Sequence, residues 1–562
     1  MLLFAYHLDA VPPYHADENF YVESTKNMLE SGDYITPIYH QKKRFAKPVL
    51  FYWMVAASYK MFGVNLFSAR LVSAVFGALC IPLLYLLARR MFNRQIALMS
   101  SFILPGFYLH FQIARWAITD MALNFFVLMS IFFFVRGTQE EPVRRRDFYL
   151  FYLSMALGFM IKGPPAVLIP ALAAGLFLLI TRDRTMFSQL RLFSGTLIFL
   201  AVTLPWFLIM WSLHGDAFKN HILGPELKDR IVHGMPFSFY FLGVLFRYYL
   251  PWALFIVSAA AIHLGLASWS PEKSEETKTL WEKIKSGLLK LLEQEQRPVL
   301  FCFLWIFGPL LLFTLFRIEH SRYMLPCSPA IAMILAHFFY KFEESGNDLN
   351  RRLFKIPFIL TVLFYIVVAL VVCLAILVFN KTFTVPLPLL VLPFFLTFGA
   401  SLLGHFFMRD QIKRLIYTLA VFQVLFLASV SGDVLPFFNR YPMKAFAEEI
   451  LKSGTGNEPV VVYRLGNHRP RLGILTGHMV FLYSAPQEVN HFIDTHENFF
   501  LAMRETDWQE TFMDAPLFQI STDKIWKKSR IDSKKLLRFW EEGPGDLNAH
   551  MENIVLLTNR KP

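Results

Sequence analysis

Apolar runs of roughly 18 to 25 residues recur along this chain as far as about residue 435, separated by short charged loops. That pattern constrains the fold more than any motif does. A backbone in hydrocarbon must satisfy its own hydrogen bonds, so runs of this length predict membrane-spanning helices. The 562 residues are 55% hydrophobic and include 60 Phe, more apolar surface than one soluble core can hide. Spans are expected near 68–88, 96–114, 117–135, 147–161, 164–181, 195–213, 238–266, 298–316, 322–340, 355–379, 384–407 and 414–435, about twelve in all. The opening run from Met1 to Pro12 is too short to cross. A late start relative to the complete protein, or a segment at the interface, are the two readings it leaves.

The net charge of +13 invites a nucleic-acid reading, but the cations recur in every second loop instead of forming one patch. Arg89-Arg90 with Arg94, Arg144-Arg145-Arg146, Arg182, Arg184 and Arg191, the Lys-rich segment 271–297, Arg351-Arg352 and Lys413-Arg414 make one set. The positive-inside rule puts that set in the cytoplasm and argues against nucleic acid as a partner. The Asp17 segment, the Arg115–Asp120 turn, Lys162-Gly163-Pro164-Pro165, loop 213–236 and the tail then share the outer face. Segment 271–297 reads as an amphipathic helix along the membrane surface. The four cysteines lie in or beside apolar runs without metal-ligand spacing, and the scattered loop histidines match no ligand motif; neither a metal nor a cofactor is expected.

After about residue 436 the composition turns soluble. Val460–Tyr463, Met479–Leu482, Phe499–Leu501 and Ile554–Leu557 read as short buried strands alternating with polar helices, a small α/β domain. Three parts follow: 1–66, an outer juxtamembrane loop preceded by a partial span; 67–435, the bundle; and 436–562, the α/β domain.

Candidate chemistry gathers on the outer face. Asp17, Glu18, Tyr21 and Glu23 belong to one stretch with helix-forming composition and a Ser31-Gly32-Asp33 stop. Asp17 and Glu18 either offset a helix dipole or serve a water-filled site at the mouth of the bundle. Lys47 is either an interfacial lysine beside an aromatic belt or a cation placed at lipid-phosphate depth. Arg115 and Asp120 join two apolar runs. Asp120 is a helix cap or faces a cavity, and Lys162 ends a span by the same logic. Arg230, Arg322 and Tyr323 add later outer-side groups.

Taken in order, these pieces resemble the aminoarabinose transferase (ArnT)-like glycosyltransferases, bacterial relatives of the protein O-mannosyltransferases. The residues are Asp17-Glu18…Tyr21…Glu23, Phe45-Ala46-Lys47-Pro48, Tyr52-Trp53, Phe62-Gly63 and Phe67-Ser68-Ala69-Arg70-Leu71. Further matches are Ala114-Arg115…Asp120-Met121, Lys162-Gly163-Pro164, Pro205-Trp206, His214-Gly215-Asp216-Ala217-Phe218, Tyr240, Pro251-Trp252 and Ser321-Arg322-Tyr323-Met324-Leu325-Pro326. The resemblance implies a polytopic α-helical GT-C glycosyltransferase fold with a C-terminal soluble α/β domain. It implies an inverting transfer from a polyprenyl-phosphate-linked sugar donor to a lipid A, other glycolipid or protein acceptor, on the periplasmic face of a bacterial inner membrane. Membrane lipids are expected partners.

By the same resemblance Asp17 matches the catalytic carboxylate, with Glu18 beside it, and Asp120 the second cavity aspartate. Lys47 matches the phosphate-binding lysine, and Arg230 and Tyr323 the groups near the donor phosphate. Arg115, Lys162, Arg322 and Tyr21, from the same outer-side segments, are expected to bind substrate. The chain departs from the family pattern at Ala46 (usually Glu), Phe20 (often Arg) and Arg44 (an aromatic), changes that surround the donor and acceptor entrance. Two other classes fit the hydropathy alone: a polytopic lipid or sugar transporter or flippase, and a receptor or scaffold using the tail.

Overall fold

The computed structural model describes residues 1–11, 13, 16–39, 42–139, 144–223, 239–263, 279–315, 319–345, 348–380, 384–439, 442–454, 458–466, 468–526 and 551–560. A polytopic helical bundle is followed by a mixed five-stranded sheet. Among the described residues, eight helices are long and apolar enough to cross a membrane: Leu66–Met91, Thr119–Gln139, Met186–His221, Gln294–Leu315, Ser321–Glu344, Arg352–Leu377, Leu387–Met408 and Ile412–Phe438.

The other four expected spans are interrupted, charged or short. Pro105-Gly106 breaks 96–114 into helices Arg94–Ile103 and Tyr108–Ile113 around a 3-10 turn. Around Pro251, 238–266 divides into Tyr240–Tyr248 and Ala253–His263, with 238 and 264–266 outside the described residues. Hydropathy sums are blind to such breaks, because proline removes a backbone donor without lowering the apolar average. Helix Arg145–Lys162 is continuous but carries Arg145, Arg146 and Asp147 at one end and Lys162 at the other. Helix Pro165–Thr181 has 17 residues.

Before the bundle, helix α1 (Ala16–Ser31) opens with Asp17 and Glu18 in its first turn. It stops where Gly32 takes φ +73° and Asp33 Oδ1 accepts from the amides of Ile35 and Thr36 at 2.8 and 3.1 Å. A short ladder pairs Ile38–Tyr39 with Lys42–Lys43. Helix α2 (Leu50–Phe62) ends at Gly63, φ +81°, and α3 (Leu66–Met91) starts on a capping box between Asn65 and Ser68. Helix α4 (Thr119–Gln139) and the Ser321–Glu344 span are 72% and 89% buried, against 17% for Arg352–Leu377. The first two are therefore central, and their outer ends are the natural place for a protected site.

Helix Leu280–Lys290 begins with a Thr279–Glu282 capping box; residues 271–278 of that expected amphipathic stretch lie outside the described ones. In the tail, helix α6 (His468–Thr476) packs by strands β1 (Val460–Tyr463) and β2 (Val480–Tyr483). The sheet is completed by β3 (Phe500–Arg504), β4 (Phe518–Trp526) and β5 (Met551–Thr558), in the order β2-β1-β3-β5-β4. β1 runs parallel to β2 and β3, and β5 antiparallel to β3 and β4. Alternate residues of β1 feed two apolar faces: Val460 and Val462 meet Met443 and Phe446, while Val461 and Tyr463 share a cluster with Val489 and Phe492. Helices on both faces of a sheet fit the α/β reading.

Candidate active site

The acidic pair divides its labour. Glu18 is fully buried, and both its oxygens are held by Arg70 of α3, at 2.6 and 2.9 Å. Its Oε1 also accepts from the Ala117 amide at 3.0 Å. Arg70 Nη1 in turn donates to the carbonyls of Leu8 and Val11, at 2.7 and 2.8 Å. A carboxylate committed in this way fastens α1 to the bundle. Its geometry is that of a scaffold ion pair.

Asp17, one position earlier and about 100° around the helix, faces the other way. Its side chain is 34% exposed, and its Oδ2 lies 2.8 Å from Arg322 Nη2. Arg322 Nη1 is 3.4 Å from Asp120 Oδ2, and Asp120 Oδ1 accepts from Lys162 Nζ at 2.5 Å. Asp120 is 3% and Lys162 9% exposed. Four segments thus meet: the first turn of α1, the first turn of α4, the last residue of helix α5 (Arg145–Lys162), and the 3-10 turn Ser321–Cys327. Gly163, at φ +84°, ends α5 so that Lys162 projects from its terminus beside Asp120. The Lys162 ammonium also sits over the Tyr323 ring, 5.2 Å from its centroid.

Tyr21, one turn after Asp17, is buried with its hydroxyl 3.5 Å from Thr119 Oγ1, tying α1 to the start of α4. Burial pushes its phenol well above the ordinary range and that of Tyr52 up to about 12, although the Arg44 guanidinium acts in the opposite sense on both. Both therefore remain neutral hydroxyls at physiological pH.

The remaining expected residues are distributed differently. Lys47 is half-buried in the segment that leads from the short ladder to α2. Phe45, two positions earlier, packs on His214 and Phe218, with ring centroids at 5.3 and 5.5 Å, so the C-terminal part of helix Leu192–Leu223 supports this segment. Arg115 is expected to bind substrate, yet its guanidinium donates to the carbonyls of Phe4, Tyr6 and His7 at 2.9, 2.6 and 3.0 Å. Those bonds tie it to the N-terminal segment. Arg230 lies outside the described residues. Sequence reasoning gave no role to Arg70, although it stands in the Phe67-Ser68-Ala69-Arg70 motif; a buried arginine in the second turn of a span was the available signal.

A family model described as dolichyl-phosphate-mannose-protein mannosyltransferase matches residues 46–211. The chain is 28% identical over 473 residues to an uncharacterized protein of Aquifex aeolicus, covering 83% of each. It is 28% identical over 344 residues to the undecaprenyl phosphate-alpha-4-amino-4-deoxy-L-arabinose arabinosyl transferase of Pseudomonas aeruginosa, covering 60% of this chain and 57% of that one. The match thus spans a little over half the length of the named transferase. In fold, the chain is similar to the crystal structure of ArnT from Cupriavidus metallidurans bound to undecaprenyl phosphate, with a TM-score of 0.70 at 19% identity, covering 100% of this chain and 96% of that one.

Proposed function

The chain is an ArnT-like GT-C glycosyltransferase, and from that premise we propose that it moves a sugar from a polyprenyl-phosphate donor to an acceptor at the outer, periplasmic face of a bacterial inner membrane. The observation that carries this reading is the Asp17–Arg322–Asp120–Lys162 constellation, in which one partly exposed carboxylate is held by a network of nearly buried charges. Asp120, fixed by Lys162, positions Arg322, and Arg322 fixes Asp17. Such preorganisation lets a single carboxylate meet an incoming nucleophile in one orientation.

In the transfer, the acceptor's nucleophilic atom forms a bond to C1 as the bond from C1 to the phosphate oxygen breaks. The electron pair leaves on the polyprenyl phosphate, and Asp17, as general base, takes the acceptor's proton. Attack opposite the leaving group inverts the anomeric centre. Lys47 supplies positive charge where the leaving phosphate develops negative charge, with Arg230 assigned the same role from sequence. Tyr323, beside Lys162, and Tyr21 line the chamber.

An apolar groove of about 570 Å³, lined by Phe239, Leu242, Phe307, Leu311 and Ile334, includes Met324, next in sequence to Tyr323. A polyprenyl tail placed there brings its headgroup toward the charged cluster. The transporter alternative needs ionisable groups along a path through the bilayer centre. Asp120, Lys162 and Arg322 instead stand at the ends of their helices.

The test is comparative mass spectrometry of envelope lipids and glycoproteins with and without the gene, complemented by wild type or Asp17→Asn. Loss of one sugar mass from a defined molecule, restored by wild type and not by the variant, supports the assignment. An unchanged profile refutes it.

A further inference from the structure

Arg44 has no assigned part in the transfer, yet it packs on the helix that carries Asp17. Its guanidinium carbon lies 3.7 Å from the centroid of the Phe20 ring. Phe20 follows Asp17 by three positions and so shares its side of α1. The Phe20 ring is braced in turn by Tyr39, edge-on at 4.7 Å. The Arg44 amide donates to the Pro37 carbonyl at 2.8 Å, which fixes the backbone that carries the side chain.

The charge of Arg44 and that of Asp17 both act on the hydroxyls of Tyr21 and Tyr52, so the two groups share one neighbourhood. Arg44 Nε is buried and meets no acceptor among the described residues. A buried guanidinium N–H without an acceptor is costly, and a stacked, planar guanidinium is well formed to grip an oxyanion.

We propose that Arg44 is a substrate-positioning residue that binds a phosphate oxyanion of a substrate beside Asp17, with Phe20 as the platform that holds its guanidinium. This rests on the transferase reading above. The phosphate belongs either to the donor lipid or to a phosphorylated acceptor. No bond is made or broken at Arg44. It places the phosphate and with it the reacting carbon or nucleophile.

The stack itself supplies a test. Because the two side chains are in contact, exchanging them returns a guanidinium and an aromatic ring to the same space. The full chain in nanodiscs is titrated with undecaprenyl phosphate and, separately, with lipid A, as wild type, Arg44→Gln, Arg44→Phe, and Arg44→Phe combined with Phe20→Arg. Folding of each is checked by its thermal transition. Arg44→Gln is expected to weaken one probe by about tenfold or more, with a shallower salt dependence. The exchanged double variant is expected to recover most of what Arg44→Phe loses.

Weakening of undecaprenyl phosphate supports a donor contact, and weakening of lipid A an acceptor contact. Wild-type binding matched by a folded Arg44→Gln for both probes overturns the proposal alone. If the wild type binds neither phosphate, the transferase reading falls and this inference with it.

Discussion

Arg322 Nη2 lies 2.8 Å from Asp17 Oδ2, joining the first turn of α1 to the turn that opens the most buried span. The contact leaves Asp17 34% exposed while its partner is 16% exposed. An arginine that is anchored on a second carboxylate, Asp120, thus sets the direction of the first. Of the two carboxylates in this network, Asp17 is the more exposed, at 34% against 3% for Asp120.

Asp17→Asn is therefore expected to lower turnover by about 10²–10⁴-fold, the usual range for a general base. The protein should still insert and show a near-native thermal transition, because a half-exposed carboxylate contributes little net stability. Radiolabelled sugar transfer from the polyprenyl-phosphate donor, together with the melting curve, measures both. Turnover within a few fold of wild type would remove Asp17 from the chemistry.

Glu18→Gln should behave in the opposite manner. Removing one charge of the buried Glu18–Arg70 pair leaves an uncompensated guanidinium, at a cost of about 3–5 kcal/mol. The expected result is a lower unfolding temperature and poor recovery from membranes. Turnover per folded molecule should fall far less than in Asp17→Asn. A variant that is fully stable yet inactive would return Glu18 to the catalytic set.

These two carboxylates mark where sequence reasoning runs out. Asp120, Lys162, Arg322 and Tyr323 stand out in the sequence because ionisable groups at the ends of apolar runs are expensive and need partners; the structure brings them to one point with Asp17. Which of Asp17 and Glu18 is buried depends on where α3 presents Arg70, and no local periodicity encodes that. Arg115 is similar: its three carbonyl partners belong to a segment far away in sequence. The contact of Arg44 with Phe20 follows from the path of a loop, which hydropathy does not describe. Strand β4 escaped notice because it is an edge strand, half-exposed and interrupted by a register shift between Gln519 and Ser521.

The Asp120–Lys162 pair gives a prediction about coupling. Lys162→Met leaves Asp120 nearly buried with less compensation, so stability should drop by about 3–5 kcal/mol. Asp120→Asn combined with Lys162→Met removes both charges and should recover a substantial part of that loss. A double-mutant cycle on thermal unfolding measures the interaction. Additive single effects would show that the two side chains do not act as a unit.

The tail is fastened to the helix that carries Asp17. Lys26 Nζ donates to the carbonyls of Gly477 and Gly473, at 2.9 and 3.4 Å, at the C-terminal end of α6. Gly477 takes φ +76° there and closes the helix. An ammonium at a helix C-terminus is favoured by the exposed carbonyls and the dipole, by about 0.3–1 kcal/mol. A second tie, Arg471 Nη2 to the Pro13 carbonyl at 3.2 Å, reaches the segment before α1. Lys26→Ala should therefore loosen α1 without unfolding the bundle. Hydrogen exchange in 20–31 and 472–477 is expected to quicken, and kcat to fall by a few fold while the donor KM stays near its wild-type value, as for a group that orients Asp17 without touching the donor. Lys26→Arg, which keeps the charge and donors, should restore most of both. Unchanged exchange in both segments would show that the clasp does not hold the helix, and a rise in donor KM alone would place Lys26 in the donor path instead.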